Sequence, residues 1–323
     1  MNARKAAPTY LGFVGAVVLL SAACTAPRDL GGEPADQAEP AAAAPGSAQT
    51  GRPVISPPPG PAADGPIYVH GPYTLYKFEP RKAELTPVGE FDCLLSDMSG
   101  TADSGMHDLA VDSSGRMYGV GKIRGTSSEV FNAQVIVSID KQTGHCKKEL
   151  ILDDKLLDPQ GGLELRGLSF VPQGTLSQSE EALVALEIYG AYIQIDLKNQ
   201  QAIRIGSLNG NVAGSWKTKG ADIVSIIGDE TYSTAQGPQQ DERLIALDPR
   251  TGQVKRDLGS LGSTIFGGLA YWGGTLYGFT VSGRIFAVDP STARTTEILI
   301  KAPADTRFDG AGVTPSAPIL PPG

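Results

Sequence analysis

A short run of apolar and β-branched residues alternating with polar ones, closed by an acid and a turn, recurs five times along the chain. It reads LYKFEP ending at Pro80, IVSID at Asp140, YIQID at Asp196, LIALDP at Pro249 and IFAVDP at Pro290. Alternation with a period of two marks strands that bury one face. Turn chemistry follows: Lys141-Gln142-Thr143-Gly144 after Asp140 and Pro249-Arg250-Thr251-Gly252 after Asp248. Acid, proline, threonine and glycine in that order suit a tight hairpin, so the five acids read as structural, ending half-buried strands in Asx-type turns.

A second phrase, a strand followed by a hairpin, precedes most copies. It reads Asp108-Leu109-Ala110-Val111 before SSGRMYGVG, Asp222-Ile223-Val224-Ser225 before IGDETYSTA, and Gly268-Leu269-Ala270-Tyr271 before WGGTLYGFT. Gly167-Leu168-Ser169-Phe170 opens the remaining internal unit. Each unit therefore holds about four strands, the content of a β-propeller blade. The ends of the chain complement one another. Residues 67–79 match the second and third strands of a blade, and Phe308 to Val313 match a first strand with nothing after it. The expected fold is thus all-β, a single β-propeller over residues 67–316. It has five blades, or six if two units have been merged in the first half. The C-terminal strand joins the N-terminal blade and removes the open edges.

The flanks differ in pattern. Residues 1–23 read as a signal peptide: Arg4 and Lys5 precede the apolar run Leu11–Leu20, too short for a permanent span. The run ends in Leu20-Ser21-Ala22-Ala23-Cys24, which resembles the bacterial lipobox, with Ser21 where leucine is commonest. The resemblance implies a lipoprotein cut before Cys24 and acylated there, palmitate-type chains providing a stable anchor. Thr25, where aspartate would signal inner-membrane retention, points to the outer membrane of a Gram-negative bacterium. Residues 24–66 contain ten of the 24 prolines and almost no large apolar residue, so they read as a disordered tether. Residues 317–323 read as a disordered tail, and the similar composition begins at Thr314.

Phrases such as VIVSIDKQTG and LYGFTVSGRIFAVDP resemble the repeats of the YVTN/SMP-30-like propeller superfamily. The combination of DLAVDSSGRMYGVG, GADIVSIIGDETY and FGGLAYWGGTLYGF behind a lipobox and tether resembles propeller lipoproteins of myxobacteria. This covers roughly residues 67–313. It implies the propeller fold and leaves activity open, since propellers host hydrolases, lectins and passive scaffolds alike.

Composition then narrows the function classes. Lys+Arg 27 against Asp+Glu 35 gives −8, which argues against nucleic acid as a partner. Forty glycines and 24 prolines argue against a helical bundle. Aligning the first strands places His107, Arg166, Ala221, Gly267 and Asp309 in one ring at the channel mouth, with Asp108, Gly167, Asp222, Gly268 and Gly310 in the next. His107, Asp108, Asp222 and Asp309 would suit Ca²⁺ or another oxygen-preferring ion, with Arg166 beside them to neutralise an acid. Similarity to lactone-hydrolysing propellers then implies metal-polarised carbonyl attack. Against this, glycines interrupt the ring, and adjacent His107 and Asp108 should point to opposite sides of a strand. Polar residues lining a watery mouth account for the same pattern without any metal. His70 and His145 read as isolated surface residues.

Cys93 and Cys146 form an even pair in an exported domain and suggest one disulfide. Their places in neighbouring outer strands raise a geometric difficulty, because bridging needs Cα atoms within about 7 Å. Two functions remain. One is a non-catalytic binding or scaffold module, monomeric, anchored to the membrane and facing an envelope protein or glycan. The other is a metal-dependent lactonase-like hydrolase.

Overall fold

A computed structural model describes residues 66–94, 105–124, 131–152, 164–210, 216–217, 222–228, 230–303 and 306–319. The expected signal segment, Cys24, the stretch up to residue 65 and residues 320–323 lie outside them.

Blade one contains β1 (Ile67–His70), β2 (Thr74–Glu79) and β3 (Glu84–Glu90); blade two contains β4 (Gly105–Val111), β5 (Met117–Arg124), β6 (Phe131–Ile139) and β7 (Cys146–Leu152). Blade three contains β8 (Leu165–Val171), β9 (Ala182–Glu187), β10 (Ala191–Asp196) and β11 (Gln201–Ser207). Blade four contains β12 (Ile223–Ser225), β13 (Thr231–Gln236), β14 (Glu242–Leu247) and β15 (Val254–Gly262). Blade five contains β16 (Phe266–Trp272), β17 (Thr275–Thr280), β18 (Ile285–Val288) and β19 (Thr295–Ile298). The last strand, β20 (Gly310–Gly312), pairs antiparallel with β1 through Tyr68–Gly312, Val69–Ala311 and His70–Gly310. Five four-stranded antiparallel sheets result, with β20 innermost in the first. The inner strands touch in the cyclic order β20, β4, β8, β12, β16 and back to β20. The fold is a five-bladed β-propeller closed by its C-terminal strand; among the described residues there is no helix.

Strand position explains the hydrophobic pattern. The inner strands β4 and β16 are buried at every residue, because neighbouring blades cover both of their faces. The outer β3 buries only Leu85, and the outer β7 only Leu150 and Leu152. Side chains such as Ile67, Phe78, Ile136 and Phe279 interleave between blades, each contributing about 1.5–3 kcal/mol on full burial. The recurring acids do what their spacing predicts. The Oδ1 atoms of Asp140, Asp248 and Asp289 accept the amides of Gln142, Arg250 and Ser291 at 2.8 Å, and Asp196 accepts Asn199 at 2.9 Å.

Two contacts between blades were not legible in the repeat. The outer strand of one blade presses against the third hairpin of the next, so a Cβ on Gly89 would overlap the Thr143 carbonyl oxygen. One on Gly206 would overlap that of Thr251 in the same way. This approach also resolves the cysteine difficulty. It brings the end of β3 to the turn before β7, where Cys93 and Cys146 form a disulfide with Cα atoms 5.3 Å apart. Beside it, His145 is exposed as expected and pairs with Asp92 at 2.6 Å.

The segment from Thr314 departs from its expected lack of structure. The amide of Ile227 donates to Pro315 at 2.9 Å and that of Gly273 to Pro318 at 2.7 Å, while Val313, Thr314 and Ala317 are buried. Proline carbonyls accept hydrogen bonds as well as any others, so a proline-rich strip can lie across the turns of blades four and five.

Candidate functional site

All five inner strands begin on one face of the ring, here the upper face. The sequence links that lead into β4, β8 and β12 are long, from Glu90 to Gly105, Leu152 to Leu165 and Ser207 to Ile223, and most of their residues lie outside the described ones. On the lower face the links from Val111 to Met117 and from Trp272 to Thr275 are short, and that from Val171 to Ala182 is longer. Long connections raised on a rigid sheet are where propellers and other β-folds place recognition.

Three of the five positions in the first aligned column, His107, Arg166 and Gly267, prove to be β-bulges. In β4 the register passes from Met106–Gly121 to Asp108–Val120 and leaves His107 unpaired in the ladder. In β8 it skips Arg166, and in β16 it skips Gly267. Bulges re-aim side chains, and these send their residues to different partners. His107 Nδ1 lies 3.1 Å from the Leu165 carbonyl and 2.9 Å from Gln134 Nε2, while Gln134 Oε1 accepts the Leu165 amide at 2.7 Å. Arg166 pairs with Glu164, which Lys122 approaches at 3.8 Å. Asp309 accepts from Arg307 at 2.6 Å. His107 thus reaches across to blade three, while Arg166 and Asp309 pair with side chains two residues away in their own segments.

The second column converges on the axis. Asp108 Oδ1 accepts the Leu109 amide at 2.8 Å, and its Oδ2 accepts the Leu168 amide at 2.5 Å. Asp222 Oδ1 accepts the Ile223 amide at 2.5 Å, and its Oδ2 accepts Leu269 at 2.5 Å and Ala311 at 3.2 Å. The two carboxyl groups lie near enough for the Asp222 charge to act on Asp108. The donors Leu109, Leu168, Ile223, Leu269 and Ala311 belong to equivalent positions of five blades, so five N–H groups point at two carboxyls. The glycines that interrupt the ring leave the room for them. A Cβ on Gly268 would lie 2.8 Å from the Gly310 carbonyl carbon, and one on Gly310 would overlap both His70 Nε2 and Asp108 Oδ1.

Both aspartates are fully buried. Burial raises the Asp108 carboxyl well above the ordinary range, and the Asp222 charge raises it further, against the pull of the Leu168 and Leu109 amides. Burial also raises Asp222, opposed by hydrogen bonds from Asp108, Leu269, Ile223 and Ala311. His70 is not a surface residue. It is wholly buried, with Nε2 3.9 Å from Asp108 Oδ1 and Nδ1 2.9 Å from the Gly71 carbonyl. Nδ1–H therefore donates, and Nε2 carries a lone pair. Burial holds the imidazole down at about 4, against the Gly71 bond and the Asp309 charge. Glu242, at the start of β14, was likewise missed. It is 8% exposed, and burial pushes it up to about 8 despite a hydrogen bond from Thr234.

This arrangement has its acceptors already engaged by the backbone. Its chemistry is the neutralisation of a dry axis rather than presentation of groups to solvent. Among the described residues, no three His, Cys, Asp or Glu side chains are gathered as a cation requires. Sequence alignment of the first strands located Asp108 and Asp222. No sequence signal marks His70, which reaches the axis only because β20 pairs with β1.

No protein-family model matches the chain, and no curated protein matches it. Among solved structures it is similar to BamB from Moraxella catarrhalis, at 15% identity over 73% of this chain and 58% of that one, with a TM-score of 0.33. It is also similar to a protein of unknown function from Bacteroides thetaiotaomicron, at 14% identity over 74% of this chain and 58% of that one, with a TM-score of 0.42. The chain thus spans less than two-thirds of the length of either neighbour.

Proposed function

We propose that the chain is an exported lipoprotein, acylated at Cys24, whose propeller is a non-catalytic binding or scaffold module. Residues 24–66 tether it to the outer membrane, and its upper face meets an envelope protein or glycan. The observation that carries this reading is the use made of the axial acids. Asp108 and Asp222, the strongest candidates for chemistry, spend their oxygens on backbone amides of all five blades. The lipobox-like Leu20–Cys24 and the proline-rich stretch after it support the anchoring part of the reading.

Photo-crosslinking in cells tests the binding face. Tyr189, two-thirds exposed in the turn between β9 and β10, lies on the upper face, and Lys141, in the β6–β7 turn, lies on the lower one. A crosslinker at Tyr189 should capture a discrete envelope component, and one at Lys141 should not. Equal capture at both, or at neither, would remove the assignment of the upper face. Metabolic labelling with a palmitate analogue should mark the wild type and leave Cys24→Ser unmarked. A rise in Tm on adding Ca²⁺ that disappears in Asp222→Ala would instead favour the metal-dependent hydrolase.

A further inference from the structure

We propose that the outer edge of blade five is a docking site for an extended segment of an envelope protein, which bears an acid at each end and joins β19 as a fifth strand. The inference rests on the reading of the propeller as a binding module, and adds where it binds and what.

The outer strands β3, β7, β11, β15 and β19 each lie at the rim of their sheet, with one edge unpaired within it. Such an edge invites pairing with another chain, and natural sheets blunt it with bulges, prolines and cationic side chains. Four of the five are blunted. β3 contains Pro87, and its ladder shifts register between Leu75 and Tyr76. β7 contains Lys147 and Lys148, with a shift between Ile136 and Val137. β11 contains Arg204, with a shift between Tyr192 and Ile193. β15 contains Lys255 and Arg256, and its ladder shifts at three places.

β19 has none of these devices. Thr295, Thr296, Glu297 and Ile298 pair with β18 in unbroken register, without a proline or a cation among them. Three of those residues are β-branched, the type that fits a pleated surface best. Thr295, Thr296 and Glu297 are exposed, and Leu299, the next residue, is 84% exposed. The stretch is held in place from its other side, because Ile298 and Ile300 pack against the core that blades four, five and one share.

Charge selects the occupant. Glu297 is engaged by Arg284 of β18, whose Nε donates to Oε1 at 2.8 Å and whose Nη2 donates to Oε2. Arg294, just before the strand, and Lys301, three residues after it, are both exposed, and neither has an acid paired with it among the described residues. A cation at either end of an uncharged edge matches a strand with a carboxylate at either end. A second copy of this chain does not supply one. Antiparallel self-pairing about the middle of the stretch sets Arg294 of one copy against Lys301 of the other, like charge against like. Main-chain hydrogen bonds give such an added strand its affinity, and the end charges with Leu299 give it selectivity.

Fluorescence anisotropy on the purified full chain tests this, with a labelled short peptide of alternating valine and threonine that has an aspartate at each end. It should bind about tenfold more tightly than the same peptide ended by lysines. Reversing two exposed charges, Arg294→Glu with Lys301→Glu, should reverse that order. The aspartate-ended peptide N-methylated at its central residues keeps its charges but cannot pair with an edge, and it should not bind. Equal binding of the methylated peptide, or an order that survives the charge reversal, overturns the proposal. So does binding of neither peptide, or a wild-type dimer in sedimentation that Leu299→Lys dissolves, since a second copy is then the occupant. Capture at Tyr189 in cells without peptide binding overturns this site alone and leaves the scaffold reading standing.

Discussion

Aspartates do opposite work at the axis and at the outer turns of this propeller. In the third hairpins of their blades Asp289 is exposed and Asp196 half-buried, and backbone and side-chain donors hold their carboxyls below the ordinary range. Asp108 and Asp222 accept backbone amides too, yet burial drives them the other way. Hydrogen bonds alone therefore do not set the charge state. In water a donated amide only adds to solvation, whereas at a dry axis it must offset the whole cost of desolvation. The outer acids each organise one turn. The axial acids join five blades.

The largest way to break this contrast is Asp222→Ala. It strands the Ile223, Leu269 and Ala311 amides and removes the partner of Asp108. A loss of about 3–5 kcal/mol is expected in denaturant unfolding, the range for breaking a buried polar network from one side. The circumference has its own clamp. Cys93→Ser with Cys146→Ser removes a staple across a sequence separation of 53. Chain-entropy arithmetic gives about 4 kcal/mol for that loop, and reducing the wild type should reproduce the loss.

His70 sharpens the electrostatic half of the comparison. Its imidazole is held down at about 4 from an ordinary 6.5. The neutral ring therefore contributes stability that is complete above pH 6.5 and is lost as pH falls towards 4, about 3 kcal/mol in all. His70→Gln should flatten the acid limb of the Tm profile. Glu242, raised from 4.5 to about 8, has the opposite sign: its stability is complete below 4.5 and is lost as pH rises through 8. Glu242→Gln should weaken the alkaline limb without touching the acid one. The smallest effect belongs to the outer turns. Asp289→Asn keeps an acceptor for the Ser291 amide, and its Tm should be indistinguishable from that of the wild type.

Much of the ring was legible because its units repeat. Alternating runs ended by Asp140, Asp196, Asp248 and Asp289 report strands and turns that form locally, and the unmatched Phe308–Val313 reported the closing strand. Asp108 and Asp222 were also legible as positions, since both open a first strand. Their partners were not. The sequence groups them with His107 and Asp309 as ligands of an ion, but bulges leave His107, Arg166 and Gly267 out of the ladder, and His107 turns to Leu165 and Gln134. A bulge adds one residue to one strand, and in a single sequence that residue looks like any other.

The sequence by itself determined the strand content, a closed ring of five or six blades and the turn chemistry, because periodicity and turn propensity act over a few residues. Only the tertiary structure decided that His70 is buried, that the Thr314–Pro318 strip is packed, and that Cys93 lies within reach of Cys146. It also decided that Asp108 and Asp222 gather the amides of five inner strands. Each of these depends on groups far apart in the chain being brought into one desolvated place, and desolvation is a property of the closed ring that no residue carries alone.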